Sequence, residues 1–242
     1  MRSAPGPSER VPPPFTDPPS LGRPLFLLNL KVYPGAMGPG AERMARTLEE
    51  LGKESGVAVA VAPATPDLGR VASAVTIPVL AQHVDDVEAG AHTGFVPPEA
   101  VDQAGGQGSL VNHSEHPLSA RGVEVAVERL RALGLVSVVC ARDVRTAGRL
   151  AAYRPEYLAV EPPELIGGKR SVSTARPGVV RRAVDAVRRV APRTDVLCGA
   201  GVHNRLDVAR AIELGSQGVL VASAVTRAQN VRAAIAELLA GF

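Results

Sequence analysis

Lys31, His113 and Glu161 each stand at or just past the C-terminal end of a short apolar run. A carboxylate in such a place can take a proton from a carbon beside a carbonyl. The enediolate that forms needs hydrogen-bond donors or positive charge aimed at its oxygens, and an imidazole and an ammonium supply both. Alone, Lys31 also reads as a surface lysine at a strand end, and Glu161 as a loop carboxylate. Three complementary groups at three separate run ends favour proton transfer. Residues 162–168, PPELIGG, add a second feature. Two prolines stiffen the start, Leu165 and Ile166 form an apolar and exposed tip, and Gly167-Gly168 give a permissive hinge. That suits a lid that excludes water, although an ordinary connection is the plainer reading. The third feature is anion binding. Gly199-Ala200-Gly201 and Ala222-Ser223 offer small residues whose backbone N–H groups can meet a phosphate.

The other conspicuous side chains have plainer readings. His83 is expected as a hydrogen-bonded histidine at a strand edge, His92 as a loop brace or subunit contact, and His116 and His203 as exposed. The five histidines show no metal-binding spacing, so no metal site is expected. Cys140 and Cys198 lie inside apolar segments and read as buried packing residues of a protein kept reduced, as in the cytoplasm.

The elements that must position these groups are legible as an alternation. Apolar, often β-branched runs occupy residues 25–31, 57–62, 79–82, 108–112, 136–140, 157–161, 195–198 and 218–221. Segments of helical period lie between them; in residues 122–133, Val123, Val127 and Leu130 recur at spacings of four and three. Thr65 before Pro66 reads as a helix-capping hydroxyl, and Asn204 with Gly215 as the start and stop of another helix. Eight strands each followed by a helix indicate parallel βαβ units. No G-x-G-x-x-G follows the first strand, which weakens an open dinucleotide-binding sheet. Polar groups recur at strand ends, where a (β/α)8 barrel assembles its site from separate loops, and 242 residues match that architecture. A single-domain barrel over residues 25–242 is therefore expected.

Residues 1–24 are crowded with proline and nearly devoid of aliphatic side chains, so they read as a flexible arm without a signal-peptide core. Lys and Arg number 27 against 24 Asp and Glu, without an aromatic-interleaved basic patch, which disfavours nucleic-acid binding. No apolar run approaches the length of a membrane span. The arginine-rich stretch 176–189 reads as an outer helix with a solvated basic face.

Taken together, N-L-K-V-Y at 29–33, A-P at 62–63, A-Q-H-V-D at 81–85, G-A-H-T-G at 90–94, V-N-H-S-E at 111–115, V-E-P-P-E-L-I-G at 160–167, C-G-A-G at 198–201 and V-A-S at 221–223 resemble triosephosphate isomerase. The resemblance runs from about residue 25 to 242 in one register and is closest to the compact archaeal-type branch. It implies a TIM barrel that interconverts D-glyceraldehyde 3-phosphate and dihydroxyacetone phosphate without cofactor or metal. By position it makes Glu161 the base, His113 the electrophile and Lys31 the positive charge, with Asn29 positioning substrate. Glu115 matches the carboxylate behind the histidine, and Ile166, Gly201, Ala222 and Ser223 match phosphate positions. A homodimer or homotetramer is implied as well. The chain departs from the family pattern at Gly167-Gly168-Lys169, usually G-T-G, and at Ala224, usually Gly.

Other functions fit parts of this pattern. An isomerase of a four-carbon sugar phosphate would keep Lys31, His113 and Glu161 in a longer pocket. A Schiff-base aldolase would use Lys31 as nucleophile. A non-catalytic phosphate-binding barrel would need no proton shuttle, so the retained Glu161 and His113 argue against it.

Overall fold

The chain's structure is a computed structural model, described over residues 20–165 and 171–242. Ile166, the Gly167-Gly168-Lys169 departure and nearly all of the expected arm lie outside the described residues. Eight parallel strands form one sheet: β1 (Leu25–Asn29), β2 (Ala58–Ala62), β3 (Leu80–Ala81), β4 (Gly108–Val111), β5 (Val136–Ala141), β6 (Tyr157–Val160), β7 (Asp195–Cys198) and β8 (Gly218–Val221). Their order is β2-β1-β8-β7-β6-β5-β4-β3, and a parallel bridge between Val61 and Val79 joins the two ends. The sheet thereby closes into the expected (β/α)8 barrel.

Strand periodicity divides the core in two. Leu25, Leu27, Ala60, Ala62, Leu110, Val138, Ala159, Leu197 and Leu220 fill the barrel interior. Their neighbours in the chain, such as Phe26, Leu28, Val61, Val111 and Val139, face the helices. Both faces are buried, so the strands read as continuous apolar runs. Below the barrel, Leu21 donates its N–H to the Tyr157 hydroxyl at 3.0 Å, and Arg23 Nε pairs with Asp195 Oδ2 at 2.5 Å. The barrel's own contacts thus begin before residue 25.

Among the described residues, ten helices cover the outside: α1 (Pro39–Ser55), α2 (Leu68–Ala72), α3 (Pro98–Gln103), α4 (Ala120–Ala132), α5 (Val144–Leu150), α6 (Val172–Ala175), α7 (Pro177–Val190), α8 (Arg205–Glu213), α9 (Ser223–Thr226) and α10 (Val231–Leu239). Helix α1 buries Ala41, Met44, Ala45, Leu48 and Gly52 along one stripe. A Cβ at Gly52 would fall 2.6 Å from Val59 Cγ2, so this glycine lets helix and strand approach. Asn204 caps α8 as expected, its Oδ1 accepting the N–H groups of Leu206 and Asp207.

Three expectations are corrected. Thr65 caps no helix; it opens a 3-10 turn, and Asp67 spends its carboxylate on the Gly38 N–H at 2.8 Å. Leu165 is half-buried against the core rather than an exposed tip. His203 is half-buried rather than exposed.

Candidate active site

The first strand ends at Asn29 rather than running on through Lys31, because Lys31 takes a left-handed backbone with φ +50. The reversal is fixed on both sides. Lys31 donates its N–H to Asn29 Oδ1 at 2.9 Å, and its carbonyl accepts from Gln82 Nε2 at 3.0 Å. The same Gln82 amide reaches the Ala62 carbonyl at 2.9 Å, tying the ends of β1, β2 and β3 together. Thus anchored, the lysine side chain crosses the mouth and pairs its Nζ with Glu115 Oε1 at 2.6 Å.

His113 follows β4 through another left-handed residue, Asn112, at φ +61. Asn112 holds this turn with its side chain, donating to the Cys140 carbonyl at 3.0 Å and accepting the Leu118 N–H at 2.9 Å. The buried imidazole accepts the Glu115 backbone N–H on Nδ1 at 3.2 Å. A ring that accepts there carries its proton on Nε2, and Nε2 stands 3.6 Å from Glu161 Oε2. Glu115 therefore orients the histidine through its N–H, while its carboxylate, 3.7 Å from Nδ1, is committed to Lys31.

Glu161 hangs from the end of β6, its N–H donating to the Ala141 carbonyl at 2.8 Å. Its side chain is only 8% exposed, yet Oε2 has no hydrogen-bond partner among the described residues. A buried carboxylate oxygen without a donor costs free energy unless something else supplies one. The gap to His113 is too long for a hydrogen bond, so the histidine does not satisfy this oxygen. Beside it sits the Cys140 thiol. Burial and then the charge of Glu161 push that thiol well above its ordinary range, and burial pushes Cys198 up to about 12, so neither cysteine offers a thiolate.

The third wall comes from the ends of β7 and β8. Ala200 and Gly201 are both left-handed, at φ +68 and +71, and α9 starts at Ser223 directly after Ala222. Among the described residues no acceptor takes the N–H groups of Gly201, Ala222 or Ser223. One cleft is lined by Asn29, Lys31, His113, Glu161, Gly201, Ala222 and Ser223, which come from five different strand ends. Arginine-free but rich in open N–H donors, this rim suits a phosphate, with the carboxylate and imidazole deeper in.

Sequence reasoning places Gln82 and Asn112 among the polar groups at strand ends but gives them no role, because hydrogen bonds to distant carbonyls leave no trace in local spacing. It reads Gly199 only as part of the anion loop. A Cβ there would lie 2.4 Å from Glu161 Cγ, so its chief role is to make room for the carboxylate. Tyr33, which also lines the cleft, carried no signal beyond its motif.

The triosephosphate isomerase family model matches residues 24–238. The triosephosphate isomerase of Methanothermus fervidus is 44% identical over 219 residues, covering 90% of this chain and 99% of that protein. The enzyme of Methanosarcina barkeri is 43% identical over 219 residues, with 90% and 99% covered. That of Methanoculleus marisnigri is 45% identical over 216 residues, with 89% and 97% covered. A family match over residues 24–238, with relatives above 40% identical along nearly their whole length, leaves one conclusion: the chain belongs to the triosephosphate isomerase family.

Proposed function

We propose that the chain interconverts D-glyceraldehyde 3-phosphate and dihydroxyacetone phosphate by proton transfer through an enediolate. Glu161 takes the proton from the carbon beside the carbonyl, and the electron pair moves to the carbonyl oxygen. His113 Nε2–H donates to that oxygen, Lys31 balances the developing charge, and Asn29 lines the same wall. His113 gives its Nε2 proton to the former carbonyl oxygen and recovers one from the neighbouring hydroxyl. Glu161 returns its proton to the neighbouring carbon as the second oxygen becomes the carbonyl; atoms and charge are conserved. The N–H groups of Gly201, Ala222 and Ser223 hold the phosphate. The observation that supports this reading most directly is the buried, donorless Glu161 Oε2 facing His113 Nε2 across 3.6 Å.

The test is a coupled assay on glyceraldehyde 3-phosphate with wild type and Glu161→Gln side by side. Removing a general base costs about 10²–10⁴ in rate, with KM changed little because the phosphate contacts remain. Unchanged turnover in Glu161→Gln would remove the carboxylate from the mechanism. Assaying a four-carbon aldose phosphate in parallel checks the substrate length, and the three-carbon substrate is expected to be faster.

We further infer a homo-oligomer, dimer or tetramer, in a reducing cytoplasmic setting. The supports are Val32, Met37 and Phe95, exposed by 67%, 40% and 51% on mouth-side connections after β1 and β3, and the two free buried thiols. No helix among the described residues is long and apolar enough to cross a membrane. Sedimentation should give two or four times the chain mass, and Phe95→Glu should lower it; a monomeric wild type would overturn the assignment.

A further inference from the structure

Next to the mouth lies a second cleft of ≈ 510 Å³, bounded by the connection after β5, the turn after Glu161 and the first turns of α7. Its lining carries four arginines, Arg142, Arg145, Arg176 and Arg182, against two carboxylates, Asp143 and Glu164. Both carboxylates are already engaged. Asp143 caps α5 by accepting the Thr146 N–H at 2.7 Å and lies 3.6 Å from Arg142, and Glu164 pairs with Arg176. Arg145 and Arg182 hold no ion pair among the described residues, and both are exposed to the cleft's solvent. Two guanidinium charges are therefore in excess at a concave surface.

The chemistry of that surface selects its ligand. The volume lies within the roughly 300–1,000 Å³ of small-molecule sites, larger than one inorganic ion requires. The lining is cationic rather than apolar, so the complement is an anion. Guanidinium forks match phosphate oxygens in bidentate geometry and keep their charge at any working pH. The two in excess, Arg145 on α5 and Arg182 on α7, stand on the two walls with Arg142 and Arg176 beside them, which suits an anion with two phosphate groups. The two walls are in contact with each other: a Cβ at Gly148 of α5 would sit 3.6 Å from Ala186 Cβ of α7, an ordinary packing distance.

We propose that this cleft binds a small anion carrying two phosphate groups, a diphosphate or a bisphosphate, and that its occupancy lowers turnover at the mouth. The coupling runs through two contacts. A bound anion competes with Glu164 for Arg176, and Glu164 belongs to the turn that starts at Pro162-Pro163, which wall the cleft and directly follow Glu161. Prolines restrict the backbone, so a shift of that turn is passed to the base rather than absorbed.

The experiment uses inorganic pyrophosphate as probe. Calorimetric titration is run on the full-length wild type and on Arg145→Ser/Arg182→Ser, each with the mouth saturated by glycerol 3-phosphate, which has no carbonyl to enolise. The expected result is one pyrophosphate per chain in the wild type and affinity weaker by about tenfold or more in the double variant, as loss of charge-assisted contacts requires. Pyrophosphate should inhibit the wild type noncompetitively, while the double variant keeps its uninhibited kcat and loses the inhibition. Arg145→Lys/Arg182→Lys, which keeps charge but not the fork, should fall between. Pyrophosphate displaced by glycerol 3-phosphate, or bound equally by all three proteins, would place it at the mouth and overturn the site. Binding without any change in turnover would overturn the coupling to Glu161. A double variant that changes only the particle mass would make the cleft an interface between copies instead.

Discussion

A methyl group at position 199 would lie 2.4 Å from Glu161 Cγ and 2.8 Å from Oε1. Carbon atoms do not approach so closely, so either the strand end or the carboxylate must move. The barrel strand is held by ladders on both sides, whereas the carboxylate has a free oxygen, so the carboxylate gives way. Gly199→Ala should therefore fold, retain phosphate affinity and lose about 10²-fold in kcat, the scale expected when a reacting group is misplaced by an ångström. Steady-state kinetics with a thermal melt check this; a variant with wild-type kcat would show that Glu161 needs no such clearance. Lys31 shows the complementary lesson. Its type was legible, but its direction depends on a left-handed backbone pinned by Asn29 and Gln82, and on Glu115, which is distant in the chain and adjacent across the mouth.

The strand ends and their connections behave as units. The connection after β3 is rooted by His83, 8% exposed, whose Nε2 lies 3.2 Å from Asp85 and whose ring stacks on His116 at 3.6 Å. Burial lowers the His83 pKa from its ordinary 6.5, outweighing Asp85, and the nearby His116 charge pushes the same way. The native state thus resists a proton that the unfolded chain accepts. Above 6.5 His83 is neutral in both states and costs nothing, and stability is lost as pH falls below 6.5 toward the native value. Wild type should lose more Tm than His83→Gln between about pH 7 and about pH 5, the range in which histidine titrates. Parallel Tm curves for the two proteins would mean that His83 does not carry this dependence. Among the elements, caps and runs were readable where one residue acts on its immediate neighbours. Asn204 is such a case. Thr65 is not: it lies inside a 3-10 turn that no side chain caps, and Asp67, at the head of α2, gives its carboxylate to the Gly38 N–H, a partner 29 positions away.

At the level of the whole barrel, closure is uneven. Strand β3 has two residues, and its seam with β2 rests on the single Val61–Val79 bridge, with the Val61 N–H reaching the Pro78 carbonyl at 3.0 Å. Elsewhere in the barrel β5 pairs with both β4 and β6 over four positions each. A seam with fewer ladder bonds opens at lower free energy. Native-state hydrogen exchange should therefore find the Val61 amide exchanging before the Glu161 amide, which donates to Ala141 at 2.8 Å. Equal protection at the two amides would mean that the barrel opens only by global unfolding.

The alternation of eight buried runs with amphipathic segments, the closed parallel architecture it implies and the chemical types at the strand ends are all legible in the order of the residues. These are properties of burial and of near neighbours: a strand covered on both faces must be apolar throughout, and a helix must keep one apolar stripe. The motifs in one register also carried the family, later matched over residues 24–238. The distances come from the folded barrel. The 3.6 Å between His113 and Glu161 and the 2.6 Å between Lys31 and Glu115 join residues dozens of positions apart. They depend on strand register, on where closure brings each strand end, and on side chains such as Gln82, Asn112 and Gly199 whose partners are remote. No local spacing encodes such contacts, because closing the barrel is what brings those groups together.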